Sequence, residues 1–366
     1  MSMTAREKVM AVLAGEEPDK IPVLVQLGLK TGSPGGWMRR LEKRGLGFFD
    51  YIEPFKPEGF RPPLSIPHLE DIKYTQIHYL EKGLVQFREI IETPIGSITD
   101  VVRFPTPEAR ILTSGTHEEY FVKEPSDWRV INYIFKGMLD KLVPDYEALE
   151  RREDELGDRG IALVMPPERT PYQEAWARLA SLERTVIDFA EQPEELQEYI
   201  EIQRQLHTRV AEILAESPAK FINIGEHITN TISPKYYREY CIPFYEIYSK
   251  ALEGTGKVLG THIDGLAGHL KKEIREAPFK VFDSFTVPPV GDVSLTEAKS
   301  VWPDKILFVN TPPHLAWAKP EEIRKGYEAL IEEWGSKKGL LIEHCEEMPL
   351  EKVEPHLSVV MDVFGY

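Results

Sequence analysis

From about residue 160 to the end of the chain, short apolar runs recur, and amphipathic stretches separate most of them. The runs are Ile161–Met165, Phe221–Gly225, Val258–His262, Val281–Phe285, Ile306–Asn310 and Leu340–Cys345. Between two of them, Leu196, Tyr199, Ile200, Leu206, Val210, Ile213 and Leu214 fall at helical spacing. Ile323, Tyr327, Leu330, Ile331 and Trp334 form a second such stripe, opened by Pro320-Glu-Glu and stopped by Gly335. Strand–helix alternation over some 200 residues gives parallel strands joined by crossover helices. No Gly-x-Gly-x-x-Gly follows the first strand, which disfavours a dinucleotide-binding sheet. The α/β class that fits both the alternation and a length of 366 residues is a closed (β/α)8 TIM barrel, read here as one domain spanning 1–366. Chemistry in such a barrel belongs at the C-terminal ends of the strands.

The N-terminal part is less regular. Residues 1–18 read as a helix and Ile21–Leu27 as a strand. Residues 28–70 are rich in Gly, Pro and aromatics without a steady period, an irregular excursion of the kind that serves as a lid. Ile72–Arg103 reads as a meander broken at Lys82-Gly83 and at Thr93-Pro-Ile-Gly96. The expectation is therefore a barrel with an N-terminal helical and β-meander extension, residues 1–110 holding the lid-like excursion and the meander.

A net charge of −16 speaks against a nucleic-acid partner, which needs a basic face. No apolar run approaches 18 residues, so no membrane span is expected. The N-terminus lacks the apolar core of a signal peptide. Only two cysteines occur, 104 positions apart, and this usage suits a reducing cytoplasm.

Both cysteines fall where a zinc site would need them. His262 ends a strand and leads into Ile263-Asp-Gly265; it reads either as a ligand or as a hydrogen-bonded core histidine. Asp264 is a further ligand, an orienting group, or a cap for a helix beginning near Leu266. Cys345 closes its strand beside His344, and a regular strand would send those two side chains to opposite faces. Glu226 follows the run Phe221–Gly225, and a carboxylate there is costly to bury without a cation, metal or donor. Asp283, at the end of Val281-Phe-Asp-Ser284, reads either as a substrate-binding group or as support for a neighbouring loop. For Cys241, Ser233-Pro234 starts a helix that Pro243 must break near Tyr240 to Ile242. That break would return Cys241 to the site; otherwise it packs with Tyr237 and Phe244. Thiolate, imidazole and carboxylate are zinc's preferred ligands. The candidate metal set is Glu226, Cys241, His262, Cys345 and Asp264, and the candidate catalytic set is Glu226, His262 and Asp283.

Several segments resemble the uroporphyrinogen decarboxylase superfamily, a (β/α)8 barrel group that includes zinc methyltransferases of corrinoid systems. They are Pro22-Val-Leu-Val, Glu92-Thr-Pro-Ile-Gly96, Ile232-Ser-Pro-Lys-Tyr-Tyr-Arg-Glu-Tyr-Cys-Ile-Pro243, Asn310-Thr-Pro-Pro313, Lys319-Pro-Glu-Glu322 and Gly339–Pro349. The decarboxylase's arginine-bearing segment is not matched, because Gln26-Leu-Gly-Leu-Lys30 stands there. In the thiol-methylating branch the zinc pattern is His-x-Cys plus a distant Cys; His262 and Cys345 match, and Asp264 replaces the middle cysteine. The methyltransferases that open corrinoid-dependent O-demethylation use Glu-x14-Glu-x20-His, and Glu226, Cys241 and His262 reproduce both intervals with cysteine as the second ligand. His262-Ile-Asp-Gly265 has only the His-x-x-Gly core of a cobalamin-binding motif, and Gly260 stands where that motif has Asp.

The resemblance implies Zn2+, a corrinoid carried by a separate partner protein, and a small methyl donor such as a methoxylated aromatic. Corrinoid:thiol methyl transfer and a decarboxylase-like or non-catalytic ligand-binding barrel are the alternatives.

Overall fold

The computed structural model describes residues 2–27, 36–56, 69–104, 115–166, 169–226, 228, 230–345 and 348–366. Eight parallel strands close a barrel: β1 Val23–Gln26, β2 Gly47–Ile52, β3 Gly160–Val164, β4 Phe221–Gly225, β5 Val258–His262, β6 Val281–Phe285, β7 Ile306–Asn310 and β8 Leu340–His344. Each strand pairs with its neighbours in the sequence of strands, and β8 returns to β1, with Val23 opposite Ile342. This is the (β/α)8 arrangement. Alternation along each strand sends one set of side chains outward to the helices and the other into the lumen.

The lumen is apolar at its N-terminal end. Leu24, Phe49, Ile161, Phe221, Val281, Ile306, Phe308 and Leu341 form one cluster there. Helix Ala5–Ala14 plugs that end and adds Val9, Val12 and Leu13 to the same cluster. Its start is fixed by a capping box in which Thr4 and Glu7 each accept from the other's backbone amide, and Gly15 ends it in the left-handed region at φ 75°. Gly260 leaves room for the Phe221 ring, since a Cβ at that position would lie 2.6 Å from it. Outside the barrel, helix Glu194–Glu216 buries Leu196, Tyr199, Leu206, Val210, Ile213 and Leu214, while Ile200 is only half-buried. Helix Pro320–Trp334 buries Ile323, Tyr327, Leu330 and Trp334, and ends at Gly335 with φ 66°.

Two expectations for the N-terminal part need correction. β2 and helix Gly36–Glu42 lie inside the stretch read as an irregular excursion, which the Gly and Pro content had hidden. The lid-like segments at 28–35 and 57–68 lie outside the described residues. The meander is also not a prefix to the barrel: it is inserted between β2 and β3. Its strands Lys73–Glu81, Leu84–Thr93, Gly96–Phe104 and Thr116–Glu119 form one antiparallel sheet. The first turn has Lys82 at φ 51° and Gly83 at φ 79°, the paired positive values that a tight two-residue hairpin favours. Helix Trp128–Lys141 then carries the chain back along Glu194–Glu216, anchored by Trp128 Nε1 donating to Asp188 at 2.9 Å.

Candidate active site at the barrel mouth

Two positions past the apolar layer, most of the strands turn polar on the lumen side, whereas β3 stays apolar with Leu163. Asn223, His262, Asp283, Asn310, Glu343 and the side chains of Tyr51 and Cys345 meet at its C-terminal end, and most are buried. Asp283 is completely buried on β6, and its Oδ2 accepts from Asn223 Nδ2 at 2.6 Å and pairs with His262 Nδ1 at 2.7 Å. Asp283 thus fixes the imidazole's orientation, and His262 itself is only half-buried. Asp283 Oδ1 has no hydrogen-bond partner among the described residues.

Beside it, β6 carries an irregularity between Phe282 and Phe285. Ser284 takes φ 58° there, a left-handed conformation costly for a residue with a Cβ. The Glu343 carboxylate accepts from the Ser284 amide at 2.8 Å, Asn310 Nδ2 donates to Ser284 Oγ at 3.1 Å, and Cys345 Sγ lies 3.7 Å from the same Oγ. Burial, then the nearby Asp283, Glu343 and Cys345, push the Tyr51 hydroxyl well above its ordinary pKa.

A second cluster lies just past the end of β4. The helix beginning at Ser233-Pro234 runs to Tyr240, stops, and restarts as Ile242–Ala251 with Pro243 in its first turn. Cys241 sits at the break, at φ −111° and ψ −56°, fully buried. Glu226 is 1% exposed, and its amide donates to the His262 carbonyl at 3.0 Å, so residues 226 and 262 are neighbours at adjoining strand ends. Thr170 bridges the acid and the thiol: its amide donates to Glu226 Oε1 at 3.3 Å, and its hydroxyl to Cys241 Sγ at 3.2 Å. The Tyr245 hydroxyl donates to the same Oε1 at 3.2 Å. Glu226 Oε2 is buried without a hydrogen-bond partner among the described residues.

Burial raises the Glu226 carboxyl to about 7, against the donors from Thr170 and Tyr245 and the charge of Arg169. Burial also pushes the Cys241 thiol far up, and the Glu226 carboxylate adds to this.

The structure therefore pairs four of the sequence candidates and sets a fifth beside a residue the sequence did not single out. Glu226 goes with Cys241, His262 goes with Asp283, and Cys345 stands with Ser284. His344 turns to the opposite face of β8, as expected, where its Nδ1 meets Thr311 Oγ1 at 3.1 Å and its ring lies 6.3 Å from that of His356. Burial lowers those two histidines to about 3 and about 4. Asp264 is half-buried, and at the next helical turn, Gly268–Leu270, it is Asp292 that takes the amides of Ala267 and Gly268. Thr170, Tyr245, Asn223, Ser284, Asn310, Glu343 and Tyr51 were not singled out from the sequence. For Asn223 and Glu343 a signal existed: each is a polar residue inside an otherwise apolar strand.

The donor set of a carboxylate, a thiol and an imidazole suits zinc in kind, and an orphaned buried carboxylate oxygen suits a cation. Among the described residues, no three His, Cys, Asp or Glu side chains are already gathered closely enough to hold a metal ion.

The family model for uroporphyrinogen decarboxylase (URO-D) matches residues 177–363, just over half of the chain. A comparison with curated proteins gives no match. Among solved structures, the chain is similar to a methyltransferase from Methanosarcina mazei, with a TM-score of 0.54 and 16% identity over 100% of both chains. At that identity the likeness concerns the fold. The barrel, the matched C-terminal half and the polar mouth agree on one assignment: this chain belongs to the uroporphyrinogen decarboxylase family.

Proposed function

We propose that the chain is a zinc-dependent methyltransferase that moves a methyl group from a small methylated donor, a methoxylated aromatic, to a corrinoid on a separate protein. Glu226, Cys241 and His262 would hold the zinc, with Cys345 and Asp264 as further candidates from the same end of the barrel. One observation carries this reading: a buried carboxylate with an orphaned oxygen, joined to a buried thiol through Thr170, on the strand next to a histidine that a buried aspartate orients. The fold likeness to a protein named as a methyltransferase supports it.

Zinc, when bound, supplies Lewis acidity for the ether oxygen whose bond to methyl breaks. The chain's own residues supply the rest. Asp283 holds Nδ1 of His262, so a metal would be met by Nε2, and this support stiffens the ring. Thr170 and Tyr245 both donate to Oε1 of Glu226, which leaves Oε2, without a hydrogen-bond partner among the described residues, as the oxygen that would meet a cation. Tyr237 and Tyr245 pack fully buried against each other, at 6.0 Å between ring centroids, and keep water away from this carboxyl and thiol.

The test is metal analysis and methyl transfer to free reduced cobalamin, using protein purified without chelator. About one zinc per chain is expected, together with loss of both zinc and transfer in Glu226→Gln and His262→Ala. Folded protein without zinc, or full zinc and transfer in both variants, would overturn the reading. Transfer to a thiol in place of cobalt would move the assignment to the thiol-methylating branch.

A further inference from the structure

The inserted sheet ends in a strand that nothing among the described residues covers. Lys73–Glu81 forms one edge of the four-stranded sheet, and none of its nine residues is buried. Ile77 is 44% exposed and Leu80 72% exposed. Proteins usually guard such an edge with a bulge, a proline or a charge near its middle. This edge has none of these: its pairing with Leu84–Thr93 runs without a register shift, and its charges stand at the two ends, Lys73 and Glu81.

The order of residues along the edge is self-complementary. Reversed about Ile77, Lys73 falls opposite Glu81, Tyr74 opposite Leu80, Thr75 opposite Tyr79, and Gln76 opposite His78. Opposite charges, an aromatic with an aliphatic, and two polar side chains are favourable cross-strand pairs, and they would be made in exchange for the monomer's own contacts of Lys73 with Glu92 at 2.6 Å and of Gln76 with His78 at 2.7 Å.

Backbone phase agrees with the same axis. Glu81 and Leu84 flank the two-residue turn and so form a hydrogen-bonded pair. Alternation then turns the amides and carbonyls of Lys73, Thr75, Ile77 and Tyr79 inward, and those of Tyr74, Gln76, His78 and Leu80 outward. An axis through Ile77 sets outward residues only against outward residues, Tyr74 with Leu80 and Gln76 with His78. Axes through Gln76 or His78 also match phase, but they leave part of the edge unpaired and separate Lys73 from Glu81.

We propose that this edge pairs antiparallel with the same edge of a second copy, about a two-fold axis through Ile77, so that two four-stranded sheets become one continuous sheet. The contact is a single strand pair on each side, small for a specific interface, so association on the order of micromolar is expected.

Sedimentation of the full chain from about 1 to about 100 µM tests this, since that range brackets a weak interface. A concentration-dependent dimer is expected. Ile77→Lys should weaken it at least about 10-fold, because the new charges meet across the axis, with only a small fall in melting temperature from Arg88 opposite on the neighbouring strand. His78→Pro removes an outward amide that the monomer does not use and should also weaken the dimer, while losing the ring contact with Phe87, 4.2 Å between centroids, lowers the melting temperature somewhat. Lys73→Glu should weaken the dimer, and Lys73→Glu combined with Glu81→Lys should restore it. A monomer throughout the range would overturn the proposal. So would a dimer indifferent to both Ile77→Lys and His78→Pro, or a charge swap no better than the single reversal.

Discussion

The two ends of the barrel lumen are built from the same strands and differ in almost every property. At the N-terminal end, Phe221, Val281, Phe308 and Leu341 pack as an apolar layer over helix Ala5–Ala14. Two residues further along the same strands stand Asn223, Asp283, Asn310 and Glu343, all buried and all polar. Burial of the first set stabilises the fold directly, whereas burial of the second set costs desolvation that hydrogen bonds must offset. Strand geometry is equally regular at both ends until Ser284, where a left-handed residue interrupts β6 at the mouth. A single strand can therefore serve stability at one end and carry chemistry at the other, because alternation keeps both sets facing the lumen.

The comparison is broken most severely at the mouth. Asp283→Ala removes the partner of both His262 and Asn223, and zinc affinity is expected to fall about 10- to 100-fold, as for other lost supports of a ligand histidine. Competition with a chromogenic chelator measures it, and an unchanged affinity would detach Asp283 from the metal. At the apolar end, Phe221→Ala removes a ring packed 5.5 Å from Phe308, measured between centroids, and should cost about 3–5 kcal/mol in denaturant unfolding. Gly260→Ala drives a methyl into that same ring and should cost about 1–3 kcal/mol.

Glu226→Gln sharpens the contrast in the other direction. It replaces a buried acid with a neutral amide of the same shape, so the metal-free protein should keep its unfolding free energy within about 1 kcal/mol, or gain, while zinc binding is lost. A loss comparable to that of Phe221→Ala would mean that Glu226 serves the fold.

The smallest effect concerns pH. His207 is buried, bonded to the Tyr248 hydroxyl at 2.8 Å and to the Arg169 carbonyl at 3.1 Å, and burial lowers it to about 4. Between its ordinary 6.5 and about 4 the unfolded chain binds a proton that the folded chain refuses. Its contribution is thus intact above pH 6.5 and is lost as the pH falls towards 4. Melting temperatures of His207→Gln across that window should be lower at pH 7.5 yet fall less steeply on acidification than those of the parent.

Much of the barrel was legible because its strands are short apolar runs bounded by turns. Seven of the eight were read to within about two residues. β2 was missed because Gly47–Ile52 lies among glycines, prolines and aromatics, where the local composition argues for a loop while tertiary pairing with β1 and β3 imposes a strand. The helix break at Cys241 was readable from Pro243, since proline acts locally. The cluster around Glu226 was not, because Thr170 reaches it from the segment after β3 and Tyr245 from a helix 19 residues further along the chain, and neither carries a local signal. His262 and Asp283 were each found as strand-end polar residues, but their pairing depends on β5 and β6 lying side by side with His262 opposite Asp283.

The central claim is that Glu226, Cys241 and His262 share one zinc ion. Anomalous diffraction at the zinc edge, from crystals of protein purified without chelator, tests it most directly. The account predicts one peak at roughly 2.0–2.3 Å from a Glu226 oxygen, the Cys241 sulfur and His262 Nε2. A zinc-loaded crystal whose peak lies elsewhere, or a well-ordered mouth with no peak, would contradict it.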